Sequence, residues 1–253
     1  SIMQQIDLKD IVILKNRDKG IKIECTDKNI PLDNTNLVYK AWEKIVEKTG
    51  VDRGIHIIID KKIPIASGLA GGSADAAVVL KGLNTLWNLK LSEEELMALG
   101  LEIGADVPFC IMGGTACAQG IGEKLTKLKS FSNKMVLLAN IGVPISTVDV
   151  YKNLNLDNMQ NRIDIDKMIK YMEDDDLPKL AESMANVMED VVFKEYPIIE
   201  KIKKDMIRNG ALGSIMSGSG ATVFGLFDNE EKLHKCKGEL EKKVEKVFIT
   251  KTI

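Results

Sequence analysis

The sequence predicts an α+β fold arranged as two lobes. Helical and strand patterns follow one another irregularly, without the regular strand–helix alternation that is typical of a parallel α/β sheet. The 253 residues, 45% of them hydrophobic, are enough for two domains with cores of their own. The Lys- and Ser-rich stretch Lys127–Lys134 indicates a boundary near Ser130. The predicted domains are therefore residues 1–130 and 131–253.

The first half of the chain alternates short strands with helices. Strands at Ile11–Lys15 and Ile21–Cys25 are joined by a turn. Asn34 or Thr35 is expected to cap a helix over Leu37–Lys48. Further along the chain, we predict strands at Ile55–Ile59, Thr115–Gln119 and Met135–Asn140 and a helix over Ala76–Leu83. A capping box at Ser92–Glu95 is expected to open a helix over Glu93–Leu101.

The second half is richer in helices with charged faces. The predicted helices are Ile163–Tyr171, Leu177–Glu189, Ile198–Arg208 and Glu230–Val244. The predicted strands are Ser214–Met216, Thr222–Phe227 and Lys246–Thr250.

Composition and charge exclude several classes of protein. The net charge is −2, so the sequence gives no basic surface for nucleic acid. The four cysteines are far apart and form no Cys-x-x-Cys pair, which argues against a zinc site or a disulfide framework. No apolar run approaches the roughly 20 residues that span a bilayer, and no stretch reads as a signal peptide. We expect a cytoplasmic protein without membrane or nucleic-acid partners.

The stretch Pro64–Ala77, which reads PIASGLAGGSADAA, carries the strongest functional signal. A small-residue loop that leads from a strand into a helix binds phosphate well, because unpaired N–H groups and the positive end of the helix dipole face the anion. Gly68, Gly71 and Gly72 permit close approach to the backbone. Ser73 offers a hydroxyl, either as an N-cap or as a phosphate or Mg²⁺ contact. Because the motif is neither a P-loop nor G-x-G-x-x-G, a turn for close helix–sheet packing is the alternative.

Asp106 is the best candidate for a general base. It lies in the apolar stretch GADVPF, residues 104–109, with no other carboxylate before Glu123. A carboxylate in such surroundings needs a partner or a function, and burial raises its pKa toward the useful range. Capping of the turn before Pro108 is the structural alternative.

A second glycine-rich turn, Ser217-Gly-Ser-Gly220, lies between two apolar strands. Its successive N–H groups can form an anion-binding nest. A plain hairpin turn is the alternative.

Taken together and in this order, PIASGLAGGSADAA, GADVPF and MSGSGATVF resemble the GHMP kinase superfamily. Residues 1–7, 104–109, 119–123 and 142–147 also resemble its branch that phosphorylates the 2-hydroxyl of a cytidine-diphosphate-linked methylerythritol in the non-mevalonate isoprenoid pathway. The resemblance covers nearly the whole chain. It implies an ATP- and Mg²⁺-dependent small-molecule kinase, a monomer or weak homodimer, with a ribosomal-protein-S5-domain-2-like lobe followed by a ferredoxin-like lobe.

The resemblance places the triphosphate of ATP in the first glycine-rich loop and the adenine near Asn36 and Lys61. Ser73 is also the candidate Mg²⁺ ligand. Ala66 and Ala70 stand where many relatives have Gly. Because Ala avoids positive φ, we expect that neither position has to adopt a positive φ. The implied ATP-binding residues are Asn36, Lys61, Pro64, Ile65, Ala66, Ser67, Gly68, Leu69, Ala70, Gly71, Gly72, Ser73, Ala74 and Asp75.

The catalytic aspartate of the resembled family falls on Asp106. A matching aromatic, Tyr151, would stack on the cytosine of the acceptor, a sequence-tolerant way to hold a nucleobase. Thr147 and Tyr151 are four residues apart on a predicted helix and share a face, so core packing is their alternative. The implied substrate-binding residues are Met3, Ile121, Thr147, Tyr151, Ser217, Gly218, Ser219 and Gly220.

The resembled family also carries a strand with an Ala-Lys-Ile-Asn type motif and a Tyr-His pair, both before the position of Ser1. Its lysine neutralises charge beside the catalytic aspartate, and the pair grips the cytosine. We expect the protein to be longer than the printed sequence rather than truncated, because a lobe without that strand would expose a core edge.

Two other interpretations stay open: a homoserine or mevalonate-type kinase of the same superfamily, and a catalytically impaired nucleotide-binding fragment. GADVPF and Tyr151 favour the branch that acts on the cytidine-diphosphate-linked methylerythritol over both of these.

Overall fold

The computed structural model describes residues 1–51, 53–120, 122–154 and 163–253. These residues form two compact units. The first unit comprises residues 1–65 and 70–127, and the second comprises residues 66–69 and 128–253. Among the described helices, none combines the length and the apolar character needed to cross a membrane.

The described residues of the first unit form two three-stranded sheets and four helices. Its strands are β1 (Ile2–Gln4), β2 (Ile11–Arg17), β3 (Ile21–Cys25), β4 (Gly54–Asp60), β5 (Thr115–Gln119) and β6 (Lys124–Lys127). Its helices are α1 (Leu37–Thr49), α2 (Gly71–Leu86), α3 (Glu93–Ile103) and α4 (Val107–Met112). One sheet has the antiparallel order β1-β5-β6. The other has the order β2-β4-β3, in which β4 is antiparallel to β2 and parallel to β3.

Strand β4 forms the centre of the first unit. Its residues Ile55, Ile57 and Ile59 are fully buried and share a core with apolar residues of α1 and α2. This is the most apolar strand of its sheet, and it takes the central position where both of its edges are covered. As a result β2 and β3, which the predicted turn joins, are not neighbours in the sheet.

The caps of α1 and α3 test the predicted helix starts. The N-cap of α1 is Asn36, so the predicted caps Asn34 and Thr35 are wrong. Thr35 is engaged elsewhere, because its N–H and its hydroxyl both donate to Asp33. The predicted capping box of α3 is confirmed, with Ser92 and Glu95 bonded to each other's backbone N–H groups.

The second unit is built on one antiparallel sheet. Its strands are β7 (Met135–Asn140), β8 (Gly213–Met216), β9 (Thr222–Phe227) and β10 (Lys246–Lys251), in the order β10-β7-β9-β8. Its helices are α5 (Thr147–Asn153), α6 (Ile165–Glu173), α7 (Leu177–Ser183), α8 (Glu189–Glu195), α9 (Pro197–Arg208) and α10 (Glu230–Leu240). Helices follow the first and third strands, so the unit has the β-α-β-β-α-β order of the ferredoxin-like fold. The predicted α+β class is confirmed.

Two predicted helices are shorter in the structure. The predicted helix Leu177–Glu189 ends at Ser183, and a separate helix α8 starts at Glu189. Between the two helices, the side-chain amide of Asn186 donates to two carbonyl groups of a distant turn. Helix α10 ends at Leu240 and not at Val244, which donates its N–H to the carbonyl of Leu240.

The two faces of β4 give a stability prediction. Ile57 is fully buried against the helices, whereas Ile58 is half-buried on the opposite face. Ile57→Ala should lower the free energy of unfolding by about 2–5 kcal/mol, because the cavity adds to the lost transfer energy. Ile58→Ala should cost about 1 kcal/mol. Urea unfolding of both variants measures this difference, and equal losses would contradict the assigned faces.

Candidate functional site

The first glycine-rich loop runs from the end of β4 into α2. Helix α2 begins at Gly71, and its N-cap is Ala70, which makes no side-chain cap bond. In the described part of the chain, the N–H groups of Gly71, Gly72 and Ser73 donate no hydrogen bond, and neither does the Ser73 hydroxyl. Ser73 is therefore not the N-cap, and the first turn of α2 presents free donors to an anion.

Ala66 and Ala70 both have positive φ, at 48° and 51°. The prediction that neither position needs this conformation is wrong. The loop takes a left-handed path on either side of Gly68, and the alanines follow it although this costs an L-residue about 1–2 kcal/mol each. The strain is retained because the ends of the loop are held by the surrounding structure.

Residues 66–69 of this loop pack within the second unit, against the second glycine-rich turn. The Ser217 hydroxyl donates to the carbonyl of Gly68 at 2.7 Å, and the N–H of Thr222 donates to the carbonyl of Ser67 at 3.2 Å. Gly68 has φ +74°, and a Cβ atom there would lie 2.1 Å from the carbonyl oxygen of Ser217. No other residue fits this position without moving the backbone.

Ser67 has a buried hydroxyl without a hydrogen-bond partner in the described residues. Buried polar groups are almost always paired. A buried hydroxyl without a partner fits a ligand that brings an oxygen acceptor, such as a phosphate group.

The second glycine-rich turn joins the antiparallel strands β8 and β9, so it is a hairpin turn. Its own bonds use the N–H groups of Ser217 and Gly220. The N–H groups of Gly218 and Ser219 donate to no atom of the described chain. The predicted anion nest is thereby reduced to two neighbouring donors.

Asn186 and Glu189 hold this turn, and no sequence pattern predicts their role. The side-chain amide of Asn186 donates to the carbonyls of Met216 and Gly218, both at 2.8 Å. The buried carboxylate of Glu189 accepts the N–H of Met216 at 2.8 Å and pairs with Lys203. Both residues lie some thirty positions before the turn, so no local pattern reveals the contact.

Lys61, Asp10 and Asp75 form a buried cluster at the base of the first loop. The Lys61 ammonium donates to both carboxylates, at 2.7 Å to Asp75. Burial raises the pKa of Asp75 to about 6, against the opposing attraction of Lys61. Burial lowers the pKa of Lys61, but the two carboxylates outweigh it, so the pKa is raised. Lys61 is charged at neutral pH.

Asn36 is also occupied within the first unit. Its side-chain oxygen accepts the N–H of Val38 at 3.0 Å, and its amide donates to the carbonyl of Pro31 at 2.7 Å. The predicted roles of Asn36 and Lys61 in adenine binding stay predictions, since both side chains have protein partners.

Asp106 stands at the start of α4, with its carboxylate free. The side chain makes no cap bond, and within the described residues it has no hydrogen bond or ion pair. The capping alternative is therefore excluded. Its surface is open to solvent, yet the surrounding protein partly desolvates the carboxylate and raises its pKa. Burial also raises the pKa of the neighbouring Cys110 to about 12, and the charges of Asp106 and Asp75 add to this effect.

The predicted acceptor residues occupy different environments. Tyr151 is 58% exposed on α5, so core packing is excluded for it. The Thr147 and Ser219 hydroxyls are bonded to each other at 2.7 Å, which connects α5 to the second glycine-rich turn. Met3 is half-buried in β1 and pairs with Ala116. Ile121 lies outside the described residues.

Two family models match the chain. The model for the N-terminal domain of GHMP kinases matches residues 36–114, and the model for their C-terminal domain matches residues 168–246. The chain belongs to the GHMP kinase family. The first model includes both Asp106 and the first glycine-rich loop, and the second includes the second glycine-rich turn.

Similar proteins and solved structures show which members of the family this chain resembles. A 4-diphosphocytidyl-2-C-methyl-D-erythritol kinase of Clostridium botulinum (strain Kyoto / Type A2) is 46% identical over 252 residues, covering 100% of this chain and 90% of that protein. The enzyme of that name from Acetivibrio thermocellus is also 46% identical, with 89% of its length covered. A crystal structure of 4-(cytidine 5'-diphospho)-2C-methyl-D-erythritol kinase matches with a TM-score of 0.84 at 25% identity, over 99% of this chain and 88% of that one. A homoserine kinase from Cytophaga hutchinsonii, 23% identical with a TM-score of 0.83 over 100% of this chain and 91% of that one, shares the fold.

The described residues contain no group of three or more His, Cys, Asp or Glu side chains that could hold a metal ion by themselves. Ser73, the Mg²⁺ ligand predicted from the sequence, stays a prediction.

The left-handed conformation of Ala70 predicts that Ala→Gly changes stability in opposite directions at positions 70 and 74. Ala70→Gly should raise the free energy of unfolding by about 1 kcal/mol, because relief of left-handed strain exceeds the added chain entropy. Ala74→Gly, inside α2, should lower it by about 1 kcal/mol, since the helix gains nothing from glycine. Urea unfolding curves measure both. A loss of stability in both variants would show that Ala70 is not strained.

Proposed function

We propose that this chain catalyses the ATP-dependent phosphorylation of the 2-hydroxyl of 4-diphosphocytidyl-2-C-methyl-D-erythritol, in the non-mevalonate route to isoprenoid precursors. The observation that carries the proposal is the 46% identity across 252 residues with kinases of that name. A cytoplasmic location and a monomeric or weakly dimeric state stay predictions.

The first glycine-rich loop is proposed to hold the nucleotide. When bound, ATP with Mg²⁺ supplies the phosphoryl group that is transferred. The free N–H groups of Gly71, Gly72 and Ser73, all in the first unit, supply donors for phosphate oxygens. The Ser73 hydroxyl is the proposed protein ligand of Mg²⁺.

Asp106 is proposed as the catalytic base that orients the acceptor hydroxyl. Its carboxylate has no partner among the described residues and so can accept a hydrogen bond from substrate. Its raised pKa brings it closer to the strength that a general base needs near neutral pH. A carboxylate committed to a helix cap could not do this.

The acceptor is proposed to contact α5 and the second glycine-rich turn. Tyr151 presents an exposed ring that can stack on cytosine. The free N–H groups of Gly218 and Ser219 suit an oxygen of the diphosphate. The hydrogen bond between the Thr147 and Ser219 hydroxyls holds α5 against this turn.

The direct test is ADP release from ATP with three acceptors supplied separately: 4-diphosphocytidyl-2-C-methyl-D-erythritol, homoserine and mevalonate. We expect release only with the first. Release with homoserine or mevalonate alone would replace the proposed acceptor while keeping the kinase. Tight ATP binding without release for any of them would favour the impaired nucleotide-binding interpretation.

Removing the carboxylate of Asp106 should separate catalysis from nucleotide binding. Asp106→Asn should lower kcat by about 10²–10⁴-fold, the usual worth of general base catalysis, with little change in ATP affinity. Glu102→Gln, at an exposed carboxylate on α3, is the control and should keep wild-type turnover. Steady-state kinetics and equilibrium ATP binding measure the two effects. Normal turnover in Asp106→Asn would remove Asp106 from the mechanism.

Substitution of Tyr151 should change the KM of the acceptor and not the KM of ATP. Tyr151→Leu should raise the KM of the acceptor about tenfold, since base–aromatic stacking is worth about 1–3 kcal/mol. Tyr151→Phe keeps the ring and should stay near wild type. The KM of ATP should not change in either variant. A parallel rise of both KM values would point to general damage of α5.

A further inference from the structure

The cluster of Lys61, Asp10 and Asp75 lies wholly within the first unit and joins three elements of it. Asp10 directly precedes β2, Lys61 directly follows β4, and Asp75 lies in the second turn of α2. Because Ile11 pairs with Asp60 in the sheet, Asp10 and Lys61 are brought side by side at the same end of two adjacent strands.

Asp10 fixes the start of the glycine-rich loop. One of its carboxylate oxygens accepts the backbone N–H groups of Lys62 and Ile63, the second at 2.8 Å. The other oxygen accepts the Lys61 ammonium. Asp10 thus has three donors, and its side chain is almost fully buried.

Asp75 fixes the far end of the loop through the same ammonium. Its side chain points back along α2, as helical side chains do, and meets Lys61 at 2.7 Å. The Lys61 ammonium also lies close to the first residue of α2. A Cβ atom added to Gly71 would be 3.2 Å from the ammonium nitrogen. Residues 62 and 63 are therefore tied to the first two turns of α2 across a single buried cation.

We propose that Lys61, with Asp10 and Asp75, is a buried clamp that sets the geometry of the glycine-rich loop, and that Lys61 is a positioning residue and not a ligand of the nucleotide. The Lys61 side chain is 3% exposed and its charge is already shared by two carboxylates. A ligand could reach this ammonium only after a buried ion pair had broken, which leaves an unpaired buried carboxylate.

The start of α2 needs such a clamp because its own backbone bonds do not fix its position. The N–H groups at the start of α2 are unpaired in the described chain, and Ala70 stays in a strained conformation. Unpaired donors give the loop no ladder of hydrogen bonds to fix its shape. The proposal rests on the proposed function only in taking this loop as the nucleotide site.

Hydrogen exchange of the nucleotide-free protein tests the clamp without any activity. Lys61→Met should speed exchange in peptides covering residues 62–75 by about tenfold or more, through local opening. Peptides from β8 and β9 should not change. Lys9→Met is the matched control, because Lys9 is 75% exposed beside Asp10, and it should leave all peptides unchanged. Asp75→Asn, which keeps an oxygen acceptor for Lys61, should give a smaller increase and covers the case in which Lys61→Met does not fold.

Kinetics on the same variants complete the test. The clamp predicts that Lys61→Met raises the KM of ATP about tenfold or more and leaves the KM of the acceptor unchanged, since only the nucleotide loop is misplaced. A raised KM of ATP with wild-type exchange in the free protein would overturn the proposal and make Lys61 a direct ligand. Protection of residues 62–75 by Mg²⁺ and ATP in the wild-type protein tests the proposed function separately.

Discussion

The start of the first glycine-rich loop is anchored by one buried ammonium that two carboxylates share. Burying the charges of Lys61, Asp10 and Asp75 costs desolvation free energy that ion pairing offsets only in part. Asp10 tolerates burial because two backbone N–H groups also donate to it. Anchoring at the base leaves the rest of the loop free to present unpaired donors. A loop that satisfied its own N–H groups would be easier to fold and would have nothing left to bind an anion with.

Local patterns in the sequence were sufficient for most elements of the fold. The alternation of β4, the capping box at Ser92 and the order of elements after β7 all depend on near neighbours in the chain. The central place of β4 could not be read in the same way. Strand order is decided by which strand buries the most apolar surface on both sides, and that depends on helices distant in sequence.

The candidate site was only partly predictable for the same physical reason. The glycine-rich loops and Asp106 stand out because their residue types are unusual for their position. Ala66 and Ala70 were misjudged because intrinsic preference is a weak guide where the surroundings impose a backbone path. Asn186 and Glu189 were missed because their bonds reach some thirty residues along the chain, and an asparagine in a connection has many commoner roles.

The environment of Cys110 has a consequence for chemical reactivity. Only a thiolate is nucleophilic, and with a pKa of about 12 the thiolate fraction of Cys110 at neutral pH is on the order of 10⁻⁵. Burial raises the pKa of Asp106 and, more strongly, that of the Cys110 thiol, and the charges of Asp106 and Asp75 add to the effect on the thiol. Peroxides and alkylating reagents therefore find an inert thiol one helical turn from Asp106, and inhibitors designed to attach covalently there would need a different anchor.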